Sequence, residues 1–290
     1  MKILNVLVIF SLIFLLFVIV TMTLSMPISY ETKSIRIMTW NVEWLFMESE
    51  LPNRIIQTEE FSDIYTKSQK VARQIITLNP DICCLQEVSS MNVLRLLHNI
   101  ILKNYRINYH MYIQESGGIH KIAILSKFVI KKFYDSNSFI RFSVYWKGNE
   151  FIMYCVHLRS RINGVIETEK DRINSLKKLY NDYTMFQDKS VMILGDFNDN
   201  FGSNSLNYLS DRKLINLAYT KKFVASYLSK YTYIIDKNKP ISINNVRDLD
   251  HIFTNYKMYK KILDVFIDQP NIKDDEQMVS DHYPLLAIIQ

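Results

Sequence analysis

Six short apolar runs, each with a carboxylate, amide or imidazole at or beside one end, constrain this chain more than any other feature. Asn41 and Glu43 follow Ile35 to Trp40, Glu87 follows Ile82 to Leu85, His157 follows Phe151 to Val156, and Asp196 and Asn198 follow Val191 to Leu194. Asp250 and His251 interrupt the run at Leu249, and Asp281-His282 precede Pro284 to Ile289. Short apolar runs bounded by polar or turn residues read as strands. Side chains at strand ends along one sheet edge are rigidly held and converge, so the pattern is that of a site built on a sheet scaffold.

Helices alternate with these strands. Val71, Ile75 and Leu78 share one helical face, stopped by Asn79-Pro80; a second helix is expected at Met91 to Leu102 and a third at Thr168 to Tyr180. Tyr109 to Ile113, Ile122 to Leu125, Ile140 to Trp146 and Phe151 to His157 read as strands, with turns at Gly117-Gly118 and Lys147 to Asn149. Hairpins mixed with helices indicate an α/β layered sandwich, and the lack of repeats or a Pro/Ser-rich linker after Ser34 indicates one domain.

The 290 residues are 48% hydrophobic with only 6 Gly and 6 Pro, which excludes disordered and low-complexity classes. Ile3 to Leu24 carries no charge and is preceded by Lys2, so residues 1–25 are expected to be a signal peptide or a signal anchor spanning a membrane once. Residues 26–34 would be a linker and 35–290 the catalytic domain, secreted or otherwise outside the cytoplasm. Without residues 1–25 the chain keeps 34 basic and 29 acidic side chains, a net charge of +5. Pairs such as Lys177-Lys178 and Lys221-Lys222 suit either solvated surface or a polyanion. Cys83, Cys84 and Cys155 sit in apolar runs and read as free buried thiols.

The donor content is chemically specific. Carboxylates, amides and imidazoles with no Ser or Cys nucleophile beside a base suit a hard divalent cation and activated water. Thr39-Trp40-Asn41-Val42-Glu43, Pro80 to Val88 with Gln86-Glu87, Val156-His157-Leu158-Arg159-Ser160-Arg161, Leu194-Gly195-Asp196-Phe197-Asn198, Leu249-Asp250-His251 and Ser280-Asp281-His282 resemble, in order, the motifs of the endonuclease/exonuclease/phosphatase superfamily, the deoxyribonuclease-I-like group.

The resemblance implies a four-layer α/β/β/α sandwich of two mixed sheets flanked by helices. It implies metal ligation by Glu87 with Asn41, Glu43 and Asp281 around Mg²⁺, with Mn²⁺ or Ca²⁺ as alternatives. Asp196 and Asn198 would position water and the scissile phosphate, His282 would be the essential imidazole oriented by Asp250, and His157 the second imidazole. Arg159 and Arg161, on one strand face by alternation, would offer forked donors to phosphate. Where several family nucleases carry a phosphate-contacting tyrosine, this chain has Ile119-His120-Lys121, so His120 or Lys121 would take that place. His251, turned from Asp250 by alternation, reads as structural.

The leading expectation is an endonuclease for DNA and perhaps RNA, with nucleic acid as partner, the membrane as a second partner through residues 3–24 if they are retained, and no obligate protein partner. The alternatives are a sphingomyelinase-like or phosphoinositide phosphodiesterase or phosphatase, which would use Phe142, Tyr145 and Trp146 as an exposed aromatic hairpin, and an inactive binding module.

Overall fold

Alternation along each strand sorts neighbouring apolar residues into separate cores, and this sorting builds the molecule's layers. A computed structural model describes residues 33–50, 63–162, 164–220, 231–235, 246–269 and 279–290. The segment read as a leader or anchor, most of the linker and the Lys221-Lys222 pair lie outside the described residues. Among the described residues no helix is long and apolar enough to cross a membrane.

In chain order the elements are β1 (Ile35–Leu45), α1 (Ile64–Leu78), β2 (Ile82–Val88), α2 (Met91–Tyr105), β3 (His110–Ile113), β4 (Lys121–Ser126), β5 (Lys131–Ser136), β6 (Phe139–Trp146), β7 (Asn149–His157), α3 (Val165–Tyr183) and β8 (Ser190–Asp196). There follow α4 (Asn204–Ser210), β9 (Ile215–Asn216), β10 (Tyr233–Ile234), β11 (Val246–Arg247), β12 (Asp250–Thr254), α5 (Tyr256–Tyr259), β13 (Ile262–Ile267) and β14 (Leu285–Ile289). One six-stranded sheet runs β13-β14-β1-β2-β4-β3 and the other β5-β6-β7-β8-β12-β9, with β10 and β11 forming a separate ribbon.

Each six-stranded sheet contains one parallel pair, β1 with β2 and β7 with β8, among antiparallel neighbours. Parallel neighbours need a crossover, and α1 and α3 supply the two. Helix α1 begins at Asp63, whose carboxylate accepts from Tyr65 N and Thr66 N, and ends at Asn79 in the left-handed conformation. Its Val71, Ala72, Ile75 and Leu78 pack with Met38, Trp40, Cys83 and Leu85 on the outer face of the first sheet. On the second sheet, Leu176 and Leu179 of α3 and Leu206 and Leu209 of α4 meet Ile152, Tyr154, Ile193 and Phe253.

Between the sheets lies the central core, with Ile37, Cys84, Ile124, Phe142, Val144, Trp146, Cys155, Leu194 and Ile252. Cys83 and Cys84, adjacent in sequence, thus enter different cores, and all three cysteines are free and buried. The resulting order is helices, sheet, sheet, helices, within a compact unit spanning Ser34–Gln290. The anticipated aromatic hairpin is not presented to solvent. Phe142 and Trp146 are of one parity with Val144 and fill the central core, leaving only Tyr145 exposed, because alternation turns every second side chain inward.

Candidate active site

Strand parity and register assemble one wall of the site. His157, Asp196 and Asp250 have the parity of Cys155, Leu194 and Ile252, so all three aim between the sheets. His157 is the register partner of Asp196, and Asp196 is that of Asp250, so the three stand in one row across β7, β8 and β12. Gly195, with φ +146°, is required just before Asp196: a Cβ there would lie 2.0 Å from the Val156 carbonyl oxygen.

The facing wall comes from the ends of β1 and β2. Glu43 (φ 47°), Trp44 (φ 52°) and Glu87 (φ 64°) are left-handed without being glycine, as is Asn198 (φ 51°) on the opposite wall. The β1–β2 register shifts in this region, which turns Glu87 out of the strand alternation and toward the cleft. Trp44 N donates to Glu87 Oε2 at 3.0 Å, and Asn41 Nδ2 bridges Glu87 Oε1 (3.3 Å) and Asp196 Oδ2 (3.1 Å) while Asn41 Oδ1 accepts from Glu43 N. Asn41 thereby ties a carboxylate of one sheet to a carboxylate of the other.

His282 closes the site from the segment before β14. Trp40 Nε1 donates to its carbonyl at 2.9 Å, Ser280 Oγ fastens the same segment to the Asn41 carbonyl, and His282 Nδ1 meets Asp250 Oδ2 at 2.7 Å. With Nδ1 thus engaged, Nε2 is the nitrogen left for chemistry, 3.9 Å from Asp281 Oδ1. Burial alone would lower the His282 pKa, but Asp250, Asp196 and Asp281 outweigh it and hold the imidazole well above the ordinary histidine value. The surrounding carboxylates favour its protonated form. Burial raises the Asp196 carboxyl above the usual range, with Asp250 adding to the effect and His282 and His157 opposing it. Burial would also raise Glu87, yet the imidazoles of His120 and His157 and the Trp44 N–H overcome it and bring that carboxyl down to about 2.

The cleft has a volume of about 920 Å³, and the carboxylates of Glu43, Glu87, Asp196 and Asp281 all line it. His157 Nε2 stands between two of them, 4.0 Å from Glu87 and 3.8 Å from Asp196. Asn198 N donates to Asp196 Oδ1 at 2.7 Å, and its side chain links Asp196 to the Leu158 carbonyl. So much anionic oxygen facing one space is the donor chemistry of a hard divalent cation. Asp196, Asp250 and His282 also offer atoms within 4.8 Å of one another. That trio is the poorer metal site, because the Asp250–His282 hydrogen bond already occupies two of its donors.

One expectation changes, and two other residues find their places. Arg159 and Arg161 do not share a strand face, because β7 ends at His157 and both lie in the following loop. Both line the cleft, with Arg161 also 3.7 Å from Asp199. His120 reaches the site, 3.6 Å from Glu87 and edge-on to Trp44 and Phe46, whereas Lys121 is spent on the Glu115 carbonyl. His251 is buried, contacting the Asp199 carbonyl and Asn216 as a structural residue.

Two residues escaped the sequence reading. Tyr233 lines the cleft with its ring 4.8 Å from that of His282. Burial, followed by the charges of Asp281 and Glu43, pushes its phenol up to about 12. The alternating run Tyr231 to Ile235 was the available signal for a strand there. Arg172 is fully buried, and a charged residue four positions before the buried Leu176 on an amphipathic helix was its signal.

A family model described as the endonuclease/exonuclease/phosphatase family matches residues 38–282. The chain belongs to this family. Members of the endonuclease/exonuclease/phosphatase family are hydrolases of phosphoester bonds, typically dependent on a divalent metal. Among solved structures, truncated TDP2 from Caenorhabditis elegans is similar at 19% identity and a TM-score of 0.60, covering 89% of this chain and 98% of that one. An AP endonuclease from Archaeoglobus fulgidus matches at 17% identity and TM-score 0.63, covering 88% and 99%. Beta toxin from Staphylococcus aureus matches at 17% and 0.61, covering 87% and 99%. At these identities the likeness is one of fold. The sequence matches none of the curated proteins it was compared with.

Proposed function

We propose that this chain is a metal-dependent phosphodiesterase that hydrolyses nucleic acid, foremost DNA, outside the cytoplasm, where residues 1–25 deliver it or tether it to a membrane. The observation that carries the substrate is the extent of the cleft. It continues from the carboxylates past Arg159 and Arg161 to a face of α3 bearing Asn174, Ser175 and Lys178, more room and more cations than a single phosphodiester needs. Phe142 and Trp146, which a lipid-inserting hairpin would have presented to the bilayer, are buried in the central core.

Glu87, Glu43 and Asp281 would hold the cation. When bound, the metal compensates charge on the phosphate and lowers the pKa of attacking water. The protein's own groups supply the rest. Asp196, fixed by Asn41 and Asn198 and raised in pKa, accepts the proton of the attacking water. His282, kept protonated and oriented by Asp250, donates through Nε2 to the phosphoryl group as negative charge builds. His157 faces the same space between Glu87 and Asp196, and Arg159 adds positive charge to the cleft.

The test offers the full-length chain supercoiled plasmid, single-stranded DNA, RNA and sphingomyelin vesicles, each with Mg²⁺ and with chelator, over a salt series. Metal-dependent nicking that weakens steeply with salt and vanishes in His282→Ala supports the proposal. Inert nucleic acids with headgroup release from vesicles would transfer the same site to a phospholipid.

A further inference from the structure

The cleft also holds a phenol, Tyr233, that the site described so far does not use. Tyr233 belongs to the β10–β11 ribbon, and its backbone pairs with His282 in an isolated bridge. Two flanking hydrogen bonds lock that pairing: Ile234 N donates to the Asp281 carbonyl at 2.8 Å and Tyr283 N to the Thr232 carbonyl at 2.8 Å. Thr232 is anchored in turn, its hydroxyl accepting from Leu249 N and Asp250 N. The ribbon is therefore tied both to the segment carrying His282 and to the strand carrying Asp250, so the Tyr233 ring is set relative to the catalytic pair.

Its ring packs 4.8 Å from the imidazole at an interplanar angle of 56° and lines the cleft. The hydroxyl lies in the field of Asp281, Glu43, Asp196 and Glu87 yet hydrogen-bonds to no group among the described residues. Tyr233 is half-buried and lines the open cleft, so its hydroxyl reaches the space a ligand would enter and is not committed to a protein acceptor among the described residues. A lysine or arginine at this position would be captured by the carboxylates. A neutral phenol held off them by its backbone stays available to an anionic oxygen arriving in the cleft.

We propose that Tyr233 is a catalytic residue whose hydroxyl donates a hydrogen bond to a non-bridging oxygen of the bound phosphate, on the side of His282 and across the cleft from His120. The assignment rests on the phosphodiesterase reading for its effect on rate, but its contact with phosphate can be read without turnover. Removing one donor to a charged oxygen corresponds to about a 10- to 100-fold loss.

The experiment compares full-length wild type, Tyr233→Phe and Tyr233→Leu with Mg²⁺ present. The readouts are kcat and KM on an activated diester, bis(p-nitrophenyl) phosphate, affinity for inorganic phosphate by ³¹P line broadening, and the thermal midpoint. The expected result is a Tyr233→Phe enzyme with kcat/KM at least 10-fold lower, weaker phosphate binding and an unaltered thermal midpoint. A Tyr233→Phe enzyme within twofold of wild type, with only Tyr233→Leu impaired, would reduce the ring to a packing surface for His282 and overturn the proposal. If no diester is hydrolysed by wild type, the hydrolase reading falls. In that case weaker phosphate binding by Tyr233→Phe still supports the contact, and unchanged binding overturns it.

Discussion

Arg172 is the buried charge on which the basic wall of the cleft depends, and replacing it with methionine is the most demanding test of the architecture. The side chain is fully buried on α3. Its Nε donates to Asp199 Oδ2 at 3.0 Å, Nη1 to Thr168 Oγ1 (2.7 Å) and the Arg159 carbonyl (3.2 Å), and Nη2 to the Val165 carbonyl (3.0 Å). Asp199 is equally enclosed and takes further bonds from Ser205 and Asn200 N. Methionine fills much of the same volume without donors, so Asp199 loses its nearest cation and the Arg159 and Val165 carbonyls lose a partner. Breaking one side of a buried pair costs about 3–5 kcal/mol. At roughly 2–4 °C per kcal/mol for a unit of this size, the thermal midpoint should fall by about 6–20 °C. Because the released carbonyl belongs to Arg159, KM for a polyanionic substrate should rise more than kcat falls. The assay is thermal denaturation and steady-state kinetics of Arg172→Met, Asp199→Leu and the double variant. The double should be more stable than the sum of the singles predicts, since it leaves no orphaned charge. A midpoint within 3 °C of wild type for Arg172→Met, or strict additivity in the double, would refute the reasoning.

Asp250→Asn removes the largest influence raising His282, whose charge is complete below about 6.5 and lost as pH rises through its elevated native pKa. The alkaline limb of kcat/KM should therefore move toward acid and kcat should drop by about 10²-fold or more, and an unmoved limb would separate His282 from that limb. Gly195→Ala places a methyl group 2.0 Å from the Val156 oxygen at φ +146°, which no rotamer relieves because the obstacle is backbone. A stability loss of about 2–5 kcal/mol and a loss of activity from spreading the His157–Asp196 register are expected by chemical denaturation and rate, and a neutral variant would contradict the described strand approach. Glu87→Gln, by discarding a carboxylate that is ionised at every pH above about 2, should raise the Mg²⁺ concentration for half-maximal rate at least tenfold, whereas a superimposable metal titration would make Glu87 a bystander.

What the sequence disclosed depended on the range of the interaction. Asp250 and His282 were legible because each sits in a short motif at the end of an apolar run, and their 2.7 Å contact follows once the sheets are paired. The buried state of Cys83, Cys84 and Cys155 followed from local hydropathy. The left-handed turn that redirects Glu87 left no trace, since nothing in Gln86-Glu87-Val88 demands a positive φ. Tyr233 was missed because its meaning comes from a bridge to His282, 49 positions away in sequence. The aromatic hairpin was misread for a simpler reason: Phe142, Val144 and Trp146 have the inward parity, and counting by twos along β6 places all three in the core. Strand β5, with Lys131, Lys132, Asp135 and Ser136 among its residues, and the short helix α4 carry too little apolar pattern to announce themselves.

The position of β14 sets the order in which this molecule can mature. It lies inside its sheet between β13 and β1, and its register joins Ile289 to Ile35. Until that pairing forms, β1 offers an open hydrogen-bonding edge, and a contact spanning nearly the whole chain forms slowly. Tethering of the His282 segment to Trp40 and Asn41 arrives with the same event. The site is therefore complete only once the strand nearest the C-terminus has paired with β1, the strand that carries Asn41 and Glu43.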